Sequence, residues 1–279
     1  MSLEENFLND LMADLENDRL VLPTLPEVAL KVRDTLEDEN ASMADVAKVI
    51  TSDAALSARL IQIANSPLLR ASRQIESVEA AVTRMGSAMV RNLVTSIAME
   101  QMFQATTDAT DRRLRRIWEH STEVAAISHA LASQFTKLKP DQALLAGLVH
   151  DIGVLPILTR AEDYPELLAD EAMLDRIIRK AHTRLGAAIL GKWLFPADLI
   201  AVAAEHEDLE RDPGGDVDYT DVVIVANLQS VFGTQHPLAA VDWSTVPAFA
   251  RLGIATDVSV VEMDETSAQI EDVKSALAG

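Results

Sequence analysis

The amino-acid sequence predicts an all-α fold built from two helical lobes. Hydrophobic residues make up 48% of the 279 residues and aromatic residues only 4%, and this balance, rich in alanine and leucine, favours helices over strands. Apolar residues recur every three or four positions along most of the chain, whereas no segment alternates as a half-buried strand does. The length is sufficient for one large domain or two lobes with a sizeable core.

Five short helices are predicted within the first hundred residues. The prolines of Leu22-Pro-Thr-Leu-Pro26 bar an earlier start and suit the first turn of a helix. Ser42 and Asp45 have the spacing of a capping box, Asp53 can cap the next helix, and Gly86 separates the last two. The predicted helices cover residues 26–36, 42–50, 55–64, 77–85 and 87–103.

A polar segment without periodicity, residues 104–111, predicts a boundary between two parts of the chain. We therefore expect a helical N-terminal lobe of residues 1–105, a helical core of residues 106–258 and a C-terminal amphipathic helix of residues 259–279. The helices predicted for the core cover residues 112–136, 141–151, 164–170, 171–193, 197–207, 218–232 and 244–253.

Charge and cysteine content restrict the function classes. The formal charge is −20, from 24 basic and 44 acidic residues, and such a surface repels nucleic-acid phosphates. Cysteine is absent, which excludes disulfides and thiolate metal sites and suggests a reducing compartment. The N-terminus lacks a signal-peptide pattern and we find no run of membrane-span length, so we expect a soluble cytoplasmic protein. The basic cluster of residues 112–116 is interpreted as a solvated helix face, with contact to an anion as the alternative.

Several histidines occupy the apolar faces of predicted helices. His120 shares a stripe with Val124, Ile127 and Leu131, while His129 lies about half a turn away and is predicted to point outward. The same phase analysis places His182, His206 and Asn227 on buried faces. His150 and Asp151 end an apolar helix, and His236 lies in a loop without any such signal.

A shared site explains these positions better than independent accidents. One unpaired polar group in a core costs roughly 1–3 kcal/mol, so several separate cases are unfavourable, whereas one centre satisfies all of them. Imidazole and carboxylate ligands suit a divalent transition metal such as Fe, Mn, Ni or Zn. A mutually hydrogen-bonded polar cluster is the alternative. Such a metal site normally contains a second carboxylate, but the last position here is Asn227, which is neutral and a weaker ligand.

The pattern resembles the HD superfamily of metal-dependent phosphohydrolases, in which a histidine is followed by a His-Asp pair and a late aspartate. Several short motifs of the first half are similar to those of the HDOD domain, an HD-related signalling module of bacteria. These motifs are residues 22–26 (LPTLP), 50–56 (ITSDAAL), 63–66 (IANS), 75–78 (IESV) and 84–86 (RMG). The resemblance runs from about residue 15 to residue 255.

The resemblance implies a helical N-terminal lobe packed on an HD-like helical core, and a regulatory role often without hydrolysis. It assigns His120, His150, Asp151 and Asn227 to a first metal, and His182 and His206 to a second, with Asp151 able to bridge them. Two departures bear on catalysis. Asn227 replaces the late aspartate, and Val154 stands where the related cyclic-dinucleotide phosphodiesterases carry a lysine.

Three functions remain open. The first is a signalling protein that acts through a protein partner or a ligand on a degenerate HD-type site. The second is a metal-dependent phosphohydrolase of a small phosphorylated molecule such as a nucleotide, with Asp151 as the catalytic residue. The third is a sensor of a small anion through residues 112–116 or Arg184, without hydrolysis. The sequence predicts no nucleic-acid or membrane partner and does not fix the oligomeric state.

Overall fold

The computed structural model describes residues 2–66, 69, 74–103, 108–234, 236–256 and 259–278. The chain is 74% helical, and no strand occurs among these residues, which confirms the all-α prediction. The α-helices follow one another in this order: α1 (Leu3–Glu16), α2 (Glu27–Glu37), α3 (Met43–Thr51), α4 (Ala54–Ala64), α5 (Val78–Met99), α6 (Asp108–Phe135), α7 (Pro140–Val149), α8 (Val154–Ala161), α9 (Pro165–Ala169), α10 (Glu171–Lys192), α11 (Ala197–Glu205), α12 (Tyr219–Ser230), α13 (Pro247–Leu252) and α14 (Asp264–Ala278).

Helices α2 to α5 enclose one hydrophobic core, and most of the later helices enclose another. The predicted start signals of the first half are confirmed: Ser42 and Asp45 form a capping box, and Asp53 accepts a hydrogen bond from the Leu56 amide. Gly86 has a φ of 76° and bends α5, which is why the sequence reads as two helices there. Part of the predicted 104–111 boundary, residues 104–107, lies outside the described residues.

Helix α1 was not predicted, and it packs on the second lobe rather than on the first. Its start carried a readable signal, because Ser2 and Glu5 form a capping box. Phe7 and Leu11 are buried in the larger core, and Glu4 accepts hydrogen bonds from side chains of α10. Asp14 and Glu16 of α1 also form ion pairs with Arg160 and Arg184 of this lobe, respectively.

The larger core is built on α6, α7, α10, α11 and α12. Helix α8 was missed by the sequence analysis because residues 154–161 continue the apolar run of α7. The stretch Pro140–Ala161 is long and apolar enough to cross a membrane, which corrects the statement that no such run exists. Of the most apolar 18 residues of this stretch, 83% are buried inside the fold, as in a core helix. A turn at residues 150–153 interrupts the stretch.

The C-terminal helix α14 lies on α6 and also reaches α4 of the first lobe. It covers His129, and the prediction that this side chain points outward is therefore wrong. His129 is half-buried, the amide of Gln269 lies 3.3 Å from its Nδ1, and burial lowers its pKa to about 4. Helical phase showed correctly that His129 faces away from the stripe of His120, but it could not show that another helix packs there.

Side chains of the basic cluster are paired with carboxylates. Arg113 contacts Asp175 at 2.5 Å, and Arg115 contacts Asp111 at 2.7 Å. The exposed Arg112, Arg115 and Arg116 agree with the interpretation of residues 112–116 as a solvated helix face, whereas the side chain of Arg113 is only 13% exposed. Arg184, the other basic residue considered for anion binding, pairs with α1 as described above.

Candidate metal centre

The turn that carries His150 and Asp151 is held by two close backbone approaches. At Gly147, a Cβ would lie 2.7 Å from the Cα of Ala125, so α7 can pack this tightly on α6 only with glycine there. At Gly153, a Cβ would lie 1.9 Å from the carbonyl oxygen of His182. The two glycines therefore bring α6 and α10 up to the His-Asp turn.

Three of the histidines are oriented by bonds from Nδ1 to a carbonyl one turn earlier in their own segment. A neutral imidazole that donates from Nδ1 keeps a lone pair on Nε2, so each Nε2 is left free to accept or to ligate. The three bonds are His150 to Gly147 at 2.6 Å, His182 to Ile178 at 2.8 Å and His206 to Val202 at 3.1 Å.

Asp151 lies at the middle of the five residues that we call the His/Asp centre: His120, His150, Asp151, His182 and His206. Its Oδ1 is 3.4 Å from Nε2 of His182 and also 3.4 Å from Nε2 of His206. Its Oδ2 is 3.4 Å from Nε2 of His150 and 4.0 Å from Nε2 of His120. The centre thus consists of two three-residue groups that share one carboxylate.

Two contacts in the centre call for a positive charge. The Nε2 atoms of His182 and His206 are 3.2 Å apart, and with both Nδ1 atoms donating elsewhere their lone pairs face each other. Nε2 of His150 is fully buried and has no hydrogen-bond partner among the described residues. A proton can relieve the first contact, whereas a divalent cation in each of the two groups would accept the lone pairs of both. The donor set therefore fits a metal ion.

The pKa shifts of His120, His150 and Asp151 favour the charge states of metal ligands, whereas that of His206 favours a proton on this imidazole. Burial lowers the pKa of His150 to about 3, so this imidazole is neutral. Burial also lowers the pKa of His120. Burial alone would raise the pKa of the Asp151 carboxyl, but the surrounding imidazoles outweigh it and hold that pKa well below its usual range. For His206, burial opposes protonation, but the hydrogen bond to Asp151 outweighs it and raises the pKa.

A cavity of about 800 Å³ opens onto the centre, and Asn227 lines it together with four residues of the centre. All six residues predicted to share a site are thus brought together. Val154, by contrast, is buried in the hydrophobic core, where no charge could be placed cheaply. The rest of the cavity wall is mainly apolar and includes Ile178, Leu209, Leu228, Val231, Pro237 and Leu238.

The structure adds polar residues to this cavity that the sequence analysis did not find. Glu207 places Oε1 3.7 Å from Nε2 of His182, so a second carboxylate does stand at the centre. Arg179 lies one turn before His182 and lines the cavity. His236, assigned to a loop without any signal, lines it as well. Only the position of Glu207, directly after His206, could have suggested its role from the sequence.

A buried ion network fixes the segment between α11 and α12. Asp221 is fully buried and contacts Arg211 at 3.1 Å and Arg251 at 2.9 Å. Arg211 also contacts Glu205 and Asp218, both at 2.7 Å. Because the network connects the end of α11 with the start of α12, it positions both Glu207 and Asn227.

Comparisons with known proteins agree with this picture. A model of the HDOD domain matches residues 22–209. The solved structure of a protein from Shewanella amazonensis SB2B, named "putative metal-dependent phosphohydrolase", has a TM-score of 0.88 and 32% identity, covering 99% of this chain and 100% of that one. An HDOD domain protein with unknown function from Geobacter sulfurreducens has a TM-score of 0.66 and 22% identity, covering 98% and 96% of the two chains. An uncharacterized protein of Treponema pallidum (strain Nichols) is 26% identical over 209 residues, which are 69% of this chain but 39% of that protein.

Proposed function

Because this chain belongs to the HDOD domain family, we propose that it is a regulatory protein. Its His/Asp centre holds a divalent transition metal, and the adjoining cavity binds a small phosphorylated ligand. The observation that carries the proposal is the convergence of imidazole Nε2 atoms on both oxygens of Asp151, with one of these nitrogens buried and otherwise unpartnered. A protein signalling partner that responds to the occupied cavity is part of the proposal.

The residues that would hold the metal follow from the geometry. His120, His150 and Oδ2 of Asp151 form one group, and His182, His206 and Oδ1 form the other, with Asn227 and Glu207 at the cavity side. When bound, a divalent metal there would supply Lewis-acid polarisation of a phosphoryl oxygen. Iron, manganese, nickel and zinc all suit imidazole and carboxylate ligands.

The protein residues prepare the cavity for an anion. Two divalent ions would bring four positive charges, against the two carboxylates of Asp151 and Glu207, so a phosphate group would supply the remaining neutralisation. Arg179 on the cavity wall adds a further cation for a phosphate oxygen. The apolar wall would cover the organic part of the ligand and exclude water from it.

A second candidate, metal-dependent phosphohydrolysis, is favoured by one specific observation. Glu207 supplies the second carboxylate that Asn227 does not, and it faces the cavity beside His182. It could therefore accept a proton from an attacking water, while Asp151 orients the imidazoles on both sides. The neutral Asn227 and the buried Val154 weigh against turnover, because they remove a charged ligand and a cation from the positions where the resembled enzymes carry them.

Metal analysis of protein purified without chelators tests the shared part of both candidates. We expect stoichiometric Fe, Mn, Ni or Zn by mass spectrometry, lost in Asp151→Ala. The matched control is Asp175→Asn, which removes a carboxylate of the same cavity that pairs with Arg113. Protein that neither contains these metals nor takes them up on titration would contradict the proposal.

Assays with p-nitrophenyl phosphate and bis(p-nitrophenyl) phosphate then separate the two candidates. Turnover that disappears in Asp151→Ala would establish the hydrolase and end the purely regulatory reading. Binding of inorganic phosphate without turnover, even after Asn227→Asp restores a carboxylate, is the result expected for the regulatory protein. In that case a pull-down with metal-loaded protein should recover a defined partner that Asp151→Ala loses.

A further inference from the structure

A second cavity, of about 210 Å³, lies between the two lobes and plays no part in the proposed function. We call it the interlobe cavity. Its walls come from α2 and α5 on one side, and from α7 and the turn between α10 and α11 on the other. Its lining includes three basic residues, Arg33, Arg91 and Lys139, and two aromatic ones, Trp193 and Phe195.

The lobes are joined at this cavity by specific bonds. Arg33 donates from Nη1 to the carbonyl oxygen of Trp193 at 2.8 Å, and the indole Nε1 of Trp193 donates to the carbonyl of Pro23 at 3.0 Å. The next residue, Leu194, has a φ of 58° and is 80% exposed, an unfavourable conformation for a leucine. The chain therefore accepts local strain to place Trp193 and Phe195 on either side of it against this cavity.

The residues that line the interlobe cavity carry a net positive charge, opposite in sign to that of the whole protein. Three cations line it, against the single carboxylate of Glu37, in a chain of net charge −20. Arg33 is bonded to Trp193 and Asp34, but Arg91 and Lys139 have no ion pair with any described residue. Two neighbouring carboxylates, Asp141 and Asp198, accept hydrogen bonds from the amides of Asn92 and Gln142.

Two helices connect this cavity with the His/Asp centre. Lys139 and Pro196 line the interlobe cavity and are the N-caps of α7 and α11. The C-caps of the same two helices are His150 and His206. At about 1.5 Å per residue, each helix is a rigid connection of roughly 15 Å from one site to the other.

We propose that the interlobe cavity is a regulatory site for a small organic anion that carries a flat ring, of the nucleoside monophosphate class, and that α7 and α11 transmit its occupancy to the His/Asp centre. Arg91 and Lys139 bind the phosphate, and Trp193 and Phe195 contact the ring. A shift of either N-cap moves a histidine of the centre, because a helix moves as a unit. Binding at this site does not depend on the proposed function, since none of its residues belongs to the centre.

Calorimetric titration of the metal-free protein with AMP tests the binding step. We expect Arg91→Gln and Lys139→Gln each to weaken AMP binding about tenfold, the effect of losing one charge-assisted hydrogen bond. Lys137→Gln is the matched control, because Lys137 is an exposed lysine two residues away that does not line the cavity. Adenosine, which lacks the anion, should bind more weakly than AMP by at least as much as either variant.

Three results would overturn the proposal. The first is no binding of AMP, GMP, CMP or UMP at millimolar concentration, and the second is equal affinity for AMP and adenosine. The third is binding that is lost in Arg179→Gln, on the wall of the other cavity, but kept in Arg91→Gln. For the transmission step, the NMR signals of the His150 and His206 rings should shift on AMP addition in wild type and in Arg179→Gln. Unchanged ring signals at saturating AMP would refute the transmission step.

Discussion

Gly153→Ala probes the contact on which the centre depends. An alanine Cβ would lie 1.9 Å from the carbonyl oxygen of His182 and 2.5 Å from the amide nitrogen of Gly186. Both are backbone atoms of α10, so no side-chain rotation can relieve the clash, and α10 must move by more than 1 Å to restore contact distances near 3.4 Å. Overpacking of this kind costs about 1–3 kcal/mol or more, which corresponds to a decrease in Tm of roughly 2–10 °C for a chain of this size.

The same movement should also reach the metal ligands. His182 lies on the displaced helix, so its Nε2 moves away from Asp151, and we expect Mn²⁺ affinity to fall at least tenfold. The assays are thermal unfolding of the metal-free protein and Mn²⁺ titration by calorimetry. Gly191→Ala is the control, because a Cβ there meets nothing within 4 Å and the helix loses an unfavourable glycine. A Gly153→Ala variant with unchanged Tm would refute the packing argument.

Three further predictions concern other groups of the fold. The pKa of His129 is about 4 in the folded state and near 6.5 in an unfolded chain, so the unfolded state binds more protons between these values and stability falls as the pH drops from 6.5 towards 4, by at most about 3 kcal/mol for this group. His129→Gln should reduce the pH dependence of the urea-unfolding free energy in this window, although His150 and His120 still contribute to it, and an identical pH profile would disprove the assignment. Asp221→Asn should cost about 3–5 kcal/mol in urea unfolding, since it leaves Arg211 and Arg251 without their buried partner, whereas the exposed Asp216→Asn should change little. Glu207→Gln should weaken Mn²⁺ binding about tenfold without lowering Tm, and equal affinity would exclude Glu207 from the centre.

Local patterns were enough to predict most of the fold. The capping residues Ser42 and Asp53 marked helix starts because a cap acts on amides within its own first turn. Helix α8 was missed because periodicity cannot divide one buried apolar run into two helices that meet at Gly153. Helix α1 was missed although its capping box and its apolar stripe of Leu3, Phe7, Leu11 and Leu15 were both readable in the sequence.

The residues of the site could be predicted only as far as helical phase reaches. Phase places His120 and His182 on buried faces, and the structure brings them to one carboxylate. His236 lies in a loop, where no periodicity applies, and Glu207 could have been suggested only by its position directly after His206. The partners of Asp221 come from a loop and from a helix 30 residues later, and such contacts follow from tertiary packing alone.

Asp151 gives the centre an approximate twofold symmetry. Its two oxygens are chemically equivalent, and each faces its own pair of imidazoles. A half-turn of the carboxylate therefore exchanges the two oxygens and leaves the same set of contacts. An asparagine in its place would break this equivalence, because its oxygen could serve one pair while its amide donated to the other. Asp151→Asn would therefore leave a half-centre with a single three-residue group, whereas Asp151→Ala would remove both groups together.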